Sequence, residues 1–224
     1  MTAQLKTVSM GAIMTGGARI TQRPRQENDF YSTPPEAIEA LMRYWKPKGN
    51  VWEPCAGIGA ITDVVKKHKP DDFIYQSDIN PQREDIVKQD FLKTTELPTG
   101  VDTIITNPPF KLAEEFIRHG FALGIKRQAM LLKSTFFHAK TRLELFRDMR
   151  PKIILPMNWR LDFMNLGRPT METIWVIWDD IVNTRHTEYD ILEKPLTEEE
   201  IALEKKRAEN RRKKFDLAAR RALK

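Results

Sequence analysis

The sequence is poor in the residues that build disulfides, metal sites and membrane spans. Cys55 is the only cysteine among 224 residues, which excludes an internal disulfide and fits a reducing cytoplasm. The four histidines are scattered without metal-ligand spacing, and no apolar run approaches the ~18–20 residues of a membrane helix. The first residues also lack a charged region followed by an apolar stretch, so we expect no export signal. From the preceding observations we expect no membrane partner and no bound metal.

The net charge of +6 is concentrated in one segment. Residues 205–224 contain ten Lys or Arg and two Asp or Glu, so this segment carries +8 and the rest of the chain −2. A basic segment of this kind adds salt-sensitive affinity for nucleic acid, because it neutralises phosphates. A solvated charged helix explains the charge alone equally well.

Short apolar runs alternate with helical patterns after residue 33. Thr33 is a plausible N-cap for a first helix, and five strands are then expected near 50–54, 73–78, 85–91, 101–106 and 127–133. The alternation predicts an α/β, Rossmann-like fold with a mostly parallel seven-stranded sheet and a C-terminal antiparallel hairpin. We divide the chain into a flexible N-terminal arm (1–27), one domain (28–190) and a basic helical tail (191–224).

A glycine-rich turn follows the first strand, in the segment VWEPCAGIGAIT (51–62). Ligands bind at this edge of a doubly wound sheet, and Gly57 and Gly59 allow the backbone to approach one closely. The third glycine of a dinucleotide fingerprint is missing, because position 62 is Thr. An adenosine compound without a pyrophosphate, such as S-adenosylmethionine, fits this turn.

Acidic residues end three consecutive predicted strands. Glu53 lies beneath the glycine turn, Asp78 ends the second strand and Asp90 the third. A carboxylate in the position of Asp78 can accept hydrogen bonds from both ribose hydroxyls. Asp90 offers an acceptor for an adenine amino group, and Phe91 a ring against the purine. The alternative is that these Asp residues only cap turns, as Asp often does.

A second motif, NPPF (107–110), ends the fourth predicted strand. Consecutive prolines stop a strand because neither offers a backbone N–H. They also fix a short polar side chain, Asn107, close to an aromatic ring, Phe110. The alternative is a simple strand-ending turn with Phe110 in the core.

Three segments together resemble a known family: FYSTPPEAIEALM (30–42), EPCAGIGAI (53–61) and NPPF (107–110). In this order they resemble the S-adenosylmethionine-dependent amino-methyltransferases, most closely the DNA adenine-N6 group in its gamma motif order and the small phage-type enzymes. The resemblance covers about residues 28–178 and implies a methyltransferase domain, a DNA substrate and a phage or bacterial host cytoplasm. The motifs and the resemblance assign to the cofactor Tyr31, Thr33, Pro34, Glu53, Cys55, Ala56, Gly57, Gly59, Asp78, Ile79, Asp90 and Phe91.

The residue types of NPPF suit methyl transfer to an adenine amine. This amine is a poor nucleophile, because its lone pair is delocalised into the ring. Two acceptors, Asn107 Oδ1 and the carbonyl of Pro108, would favour a pyramidal nitrogen, and the prolines, including Pro109, fix that carbonyl in advance. Phe110 would stack on the base after it has flipped out of the duplex.

Residues after the fifth strand are candidates for contacts with the target. The candidate target-binding residues are Lys133, Phe136, Phe137, Arg142, Arg160 and Arg168. The loop PMNWRLDFMNLGRPT (156–170) is short for reading several bases, so we expect short or relaxed sequence specificity. The motif also occurs in enzymes that methylate RNA adenines or guanines, and a close variant in enzymes for protein glutamine. A catalytically inactive nucleic-acid-binding module is a further alternative.

Overall fold

The computed structural model describes residues 32–167, 169, 171–179 and 185–222. The predicted N-terminal arm, Tyr31 and Arg168 lie outside these residues. In chain order the helices and strands are α1 (Pro35–Tyr44), β1 (Asn50–Glu53), α2 (Ala60–His68), β2 (Ile74–Asp78), β3 (Val87–Lys88), β4 (Val101–Thr106), α3 (Ala113–Ala122), β5 (Arg127–Lys133), α4 (Leu143–Asp148), β6 (Ile153–Pro156), β7 (Thr173–Asp179), β8 (Glu188–Tyr189) and α5 (Glu198–Ala222).

All eight strands form one mixed sheet in the order β3-β2-β1-β4-β5-β7-β6-β8. β1 pairs in parallel with β2 and β4, β2 with β3, and β4 with β5. β7 runs antiparallel between β5 and β6, and β8 is parallel to β6. The carboxyl ends of β1, β2, β4 and β5 therefore meet at one edge of the sheet.

The predicted α/β class is confirmed, but the number of strands is wrong. The sheet has eight strands instead of seven, because β8 adds an edge strand of two residues, both exposed. β3, predicted within 85–91, is also reduced to two exposed residues. Strands this short and this exposed carry no apolar alternation, which is the signal that reveals a strand in a sequence.

The sheet is buried on both faces, so adjacent residues of one strand belong to different cores. Val51 packs with α1 and α2 on one face, whereas Trp52 packs with α3 on the other. Trp175 and Val176 of β7 divide in the same way. Burial on both faces explains why the central strands read as continuous apolar runs.

The first helix begins one residue later than the sequence predicts. Pro34 is the N-cap and Pro35 the first helical residue, with no side-chain cap. Thr33 does not cap the helix, because its hydroxyl accepts a hydrogen bond from Asn107 Nδ2 at 3.1 Å. The buried face of the helix is then fixed to the sheet by Trp175 Nε1, which donates to Ala37 O at 3.0 Å.

The C-terminal helix α5 begins at a capping box. Thr197 N donates to Glu200 Oε2 at 2.8 Å, and Glu200 N donates to Thr197 Oγ1 at 3.2 Å. Residues 201–212 are exposed on every side of the helix.

Leu192, beyond the predicted domain boundary at 190, is still buried in the core, and the boundary stays a prediction. No helix in the described part of the chain is both long and apolar enough to cross a membrane.

Candidate active site

A cavity of about 440 Å³ opens at the carboxyl edge of the parallel strands and joins the two sequence motifs. It extends from the glycine turn after β1 to the NPPF segment after β4. Among the described residues, the predicted site residues that line it are Thr33, Cys55, Ala56, Gly57, Asp78, Ile79, Asp90, Phe91, Asn107, Pro108, Pro109 and Phe110. Pro34, Glu53 and Gly59 do not line it, and their assignment to the cofactor stays a prediction.

Asp78 fixes the glycine turn against the loop after β2. Its Oδ2 accepts a hydrogen bond from Gly57 N at 2.8 Å, and its Oδ1 accepts one from Asn80 N at 2.7 Å. Gly57 has φ +54°, in the left-handed region that favours glycine. Asp78 therefore does cap a turn, as the alternative interpretation of this residue holds. Each carboxylate oxygen has a second acceptor direction, so the same group can also accept from a ligand hydroxyl.

Gly59 serves a neighbouring side chain instead of the cavity. It has φ +79° at the N-terminus of α2, and a Cβ placed there would lie 2.2 Å from Nη1 of Arg83. The absent side chain therefore makes room for the guanidinium of Arg83. This contact is a second reason for glycine at position 59, besides the predicted approach of the backbone to a ligand, which stays a prediction.

Glu53 is a buried brace between β1 and β4. Its Oε1 accepts from Thr106 Oγ1 at 2.6 Å and from Cys55 N at 3.2 Å, while Oε2 has no hydrogen-bond partner among the described residues. Burial raises the pKa of Glu53 to about 8 despite these two hydrogen bonds, so its carboxyl group is mostly protonated at neutral pH. Burial, and next the nearby Glu53, also raise the pKa of the Cys55 thiol, which argues against a nucleophilic thiolate.

The Asp90–Phe91 pair lies at the cavity wall but is tied into the protein on its other side. Asp90 Oδ1 accepts from Leu92 N at 3.1 Å, and its Oδ2 lies 3.1 Å from Lys93 Nζ. The ring of Phe91 is 2% exposed and stacks on Phe116 at a centroid distance of 4.7 Å. Only a margin of the Phe91 ring is therefore available to a ligand.

The NPPF segment is preorganised by contacts on both sides. Asn107 Nδ2 donates to Thr33 Oγ1, which is itself buried, and this bond orients the amide group. Pro108 is buried, whereas Asn107 and Phe110 are half-buried at the cavity wall. Lys133 Nζ, at the end of β5, lies over the Phe110 ring, 4.8 Å from its centroid. The fourth and fifth strands thus bring an amide, a fixed carbonyl and an aromatic face together.

The aromatic residues after β5 are packed more deeply than the sequence predicts. Phe136 is only 4% exposed, and its ring contacts Phe137 and Phe146. Arg142 lies over the Phe136 ring at 4.2 Å and donates to the Phe136 carbonyl at 2.8 Å. The Phe136 ring therefore belongs to the core, and its predicted contact with the target stays a prediction. Phe137 is half-buried and stacks on Phe146 at 4.9 Å.

Arg160 lies at the surface of the loop between β6 and β7. Its guanidinium pairs with Glu172 at 2.6 Å, and both side chains are more than half exposed. Such a pair contributes little to stability and exchanges readily for another anion. Its predicted contact with DNA stays a prediction.

Several residues that line the cavity are not predicted from the sequence motifs, because loops and the following helices bring them there. They are Ser32, Pro54, Ile58, Ala60, Ile61, Asn80, Gln82, Gln89, Leu92, Leu112 and Phe116. Asn80 and Gln82 lie two and four residues after Asp78, just beyond the end of β2. Their position after a strand end is the sequence feature that could have predicted them. Gln89 Oε1 accepts a hydrogen bond from the Tyr75 hydroxyl at 2.8 Å, and its Nε2 donates to Thr94 Oγ1 at 2.9 Å. No sequence pattern predicts these contacts. The described residues contain no group of three side chains placed to hold a metal ion.

Comparison with known proteins identifies the fold. No protein-family model and no curated protein matches the sequence. Among solved structures, a type I restriction-modification methyltransferase subunit from Streptococcus thermophilus is similar, with 14% identity, a TM-score of 0.54 and coverage of 81% of this chain and 53% of that chain. A proposed class I S-adenosylmethionine-dependent methyltransferase from Listeria monocytogenes has 14% identity, a TM-score of 0.55 and coverage of 86% and 74%.

A third similar structure is a proposed RNA methyltransferase from Pyrococcus horikoshii, with 12% identity, a TM-score of 0.54 and coverage of 76% of this chain and 96% of that chain. The protein thus has the fold of class I S-adenosylmethionine-dependent methyltransferases. It spans about half the length of the restriction-modification subunits that it matches.

Proposed function

We propose that the protein transfers a methyl group from S-adenosylmethionine to the N6 amine of adenine in DNA, with short or relaxed sequence specificity. The observation that carries this proposal is the single cavity that joins the glycine turn, Asp78 and Asp90 to the NPPF segment. The fold supports the same reaction class. The similarity to a restriction-modification subunit favours DNA as the substrate.

The cavity suits the cofactor in size and in chemistry. Its volume of about 440 Å³ lies within the range of small-molecule sites, ~300–1,000 Å³. Asp78 would accept from ribose hydroxyls, Asp90 would accept from the adenine amine, and the Gly57 turn would lie against the chain without a Cβ in the way. When bound, the cofactor supplies an electrophilic methyl group on a sulfonium.

The NPPF segment would hold the amine that receives the methyl group. The bond from Asn107 Nδ2 to Thr33 orients the amide. In that orientation Oδ1 would accept one amine hydrogen, and the Pro108 carbonyl would accept the other. These acceptors pull the amine lone pair out of conjugation and stabilise the positive charge that develops on nitrogen. The amine then loses one proton to water, so no strong base is required.

Phe110 would provide the face on which the target base stacks. An adenine inside a duplex reaches this site only after flipping, which costs a few kcal/mol and is partly offset by stacking on an aromatic ring. Lys133 already lies over this ring, where its positive charge faces the incoming nucleotide. Phe137 and Arg142 flank the same edge and remain proposed contacts.

The basic helix α5 would add affinity for nucleic acid that does not depend on sequence. Its described side chains are exposed through residue 212, including Lys205, Lys206 and Arg207. A helix of 25 residues is about 37 Å long, roughly one turn of a DNA duplex. Phosphate contacts along it would increase affinity at low salt and leave the choice of sequence unchanged.

RNA is the second candidate substrate. The protein spans almost the whole length of the proposed RNA methyltransferase from Pyrococcus horikoshii but about half of the restriction-modification subunits. The segment between β6 and β7 is also short for a base-reading domain. An RNA adenine or guanine amine would meet the same acceptors at Asn107 and Pro108.

The direct test is methyl transfer from labelled S-adenosylmethionine to duplex DNA, single-stranded DNA, RNA and bulk protein. Each product is digested to its nucleosides or amino acids, and Asn107→Ala serves as the matched control. We expect N6-methyladenine from DNA with the wild-type protein and none with the control. Label in RNA or protein instead would overturn the proposed substrate. Cofactor binding without transfer to any substrate would favour a nucleic-acid-binding module.

A further inference from the structure

Arg83 connects three separate parts of the wall around the proposed cofactor cavity. Its Nη1 donates to Ile58 O of the glycine turn at 3.0 Å and to both carboxylate oxygens of Asp63, in the first turn of α2, at 2.9 Å. Its Nε and Nη2 donate to the two carboxylate oxygens of Asp85 at 2.9 and 2.6 Å. One guanidinium therefore links the glycine turn and α2 to the loop after β2.

A second chain of hydrogen bonds extends this link through the sheet. Asp85 Oδ2 also accepts from Gln76 Nε2 at 3.0 Å, and Gln76 Oε1 accepts from Thr62 Oγ1 at 2.7 Å. The Thr62 hydroxyl lies 3.0 Å from Gly59 O, so the path returns to the glycine turn. Thr62 and Gln76 are buried, whereas Arg83 is partly exposed. Among the described residues the network is closed, and Arg83 is its only cation.

The walls that Arg83 joins are those that face the cavity. Ile58 belongs to the glycine turn, and Asn80 and Gln82 belong to the loop after β2; all three line the cavity. Arg83 itself does not line the cavity, and its guanidinium is engaged by Ile58, Asp63 and Asp85 instead. Glycine at position 59 suits both its φ of +79° and the guanidinium, because a Cβ there would lie 2.2 Å from Arg83 Nη1.

We infer that Arg83 is a positioning residue that holds the glycine turn and the loop after β2 in the geometry that binds the cofactor, an inference that rests on the proposed function. Without it the two walls must be ordered when the ligand arrives, and that ordering reduces affinity. Lysine cannot replace arginine fully, because it lacks the planar fork that engages Asp85 through two bonds.

The test measures binding of S-adenosylhomocysteine by calorimetry to the full chain and to three variants. Arg83→Met is expected to raise Kd by about tenfold, and Arg83→Lys by less. The matched control is Arg147→Met, which removes an exposed arginine paired with Glu144 far along the chain. The thermal unfolding midpoint of the ligand-free protein should change little in Arg147→Met, which removes one exposed ion pair. It should fall modestly in the two Arg83 variants, which alter a bidentate pair within a network.

Gly59→Ala provides the independent check. Alanine at φ +79° strains the backbone in either background, so this change should raise Kd in both. The factor should be smaller when Arg83 is already Met, because the clash between the new Cβ and the guanidinium is then absent. Equal Kd values for the wild-type protein and Arg83→Met would overturn the inference alone. An affinity loss that only follows a large fall in the unfolding midpoint would also overturn it. No binding by the wild-type protein would overturn the proposed cofactor and, with it, this inference.

Discussion

Replacing Glu53 by glutamine should make the protein less sensitive to alkaline pH. The Glu53 side chain is fully buried, and burial raises its pKa from 4.5 to about 8. At pH values between 4.5 and about 8, the carboxyl group of Glu53 is ionised in the unfolded chain and protonated in the folded chain. The free energy of unfolding therefore falls as pH rises from 4.5 to 8 and levels off above 8.

The size of this effect follows from the two pKa values. Linkage at about 1.4 kcal/mol per pH unit gives a loss of about 4 kcal/mol between pH 5 and pH 9. Glutamine keeps an oxygen that can accept from Thr106 Oγ1 and Cys55 N, the two donors that Glu53 Oε1 uses. It carries no ionisable proton, so Glu53→Gln should match the wild-type protein near pH 5 and exceed it by a few kcal/mol at pH 9.

The assay is urea unfolding without cofactor at pH 5, 6, 7, 8 and 9, followed by the fluorescence of the tryptophans. Glu96→Gln is the matched control, because it removes a negative charge from an exposed glutamate. Its stability should follow the wild-type protein at every pH. The reasoning is refuted if Glu53→Gln and the wild-type protein show the same pH dependence, since Glu53 would then ionise alike in the folded and unfolded chain.

Two further predictions concern the proposed reaction. Asn107→Ala should lower kcat by about 10²–10³-fold, because it removes one of the two acceptors for the amine, and should leave the Kd for S-adenosylhomocysteine nearly unchanged. A parallel loss of both would place Asn107 in the cofactor site instead. Deleting residues 205–224 should raise the apparent KM for DNA and flatten its dependence on salt, because ten basic residues are removed. An unchanged salt slope would show that this segment does not contact phosphates.

The fold was predictable because its signals are local or periodic. Apolar runs separated by helical patterns indicate an α/β sheet, and the motifs at 53–61 and 107–110 lie at strand ends whatever the details of packing. Parallel strands bring those ends together, which places Gly57, Asp78 and Asn107 around one cavity. The eighth strand was missed, because two exposed residues carry no period.

The roles of single side chains were less predictable, because they depend on contacts between distant residues. Gly59 and Arg83 are 24 positions apart, and Thr33 and Asn107 are 74 apart. No spacing in the sequence indicates either pair. Phe136 illustrates the same limit, since an aromatic ring after a strand is equally compatible with a pocket and with a core until its neighbours are known.

The polar residues around the cavity divide into those that shape the backbone and those that face a ligand, and Asp78 does both. Its carboxylate accepts hydrogen bonds from Gly57 N in the glycine turn and from Asn80 N in the loop after β2. These two segments form the walls of the proposed cofactor site. A loss of affinity after replacing Asp78 would therefore combine a missing ligand contact with a displaced turn. Arg83 acts on the same two segments without lining the cavity, so its replacement tests displacement of the walls. A larger loss of cofactor affinity in an Asp78 variant than in Arg83→Met would support a direct contact between the Asp78 carboxylate and the proposed cofactor.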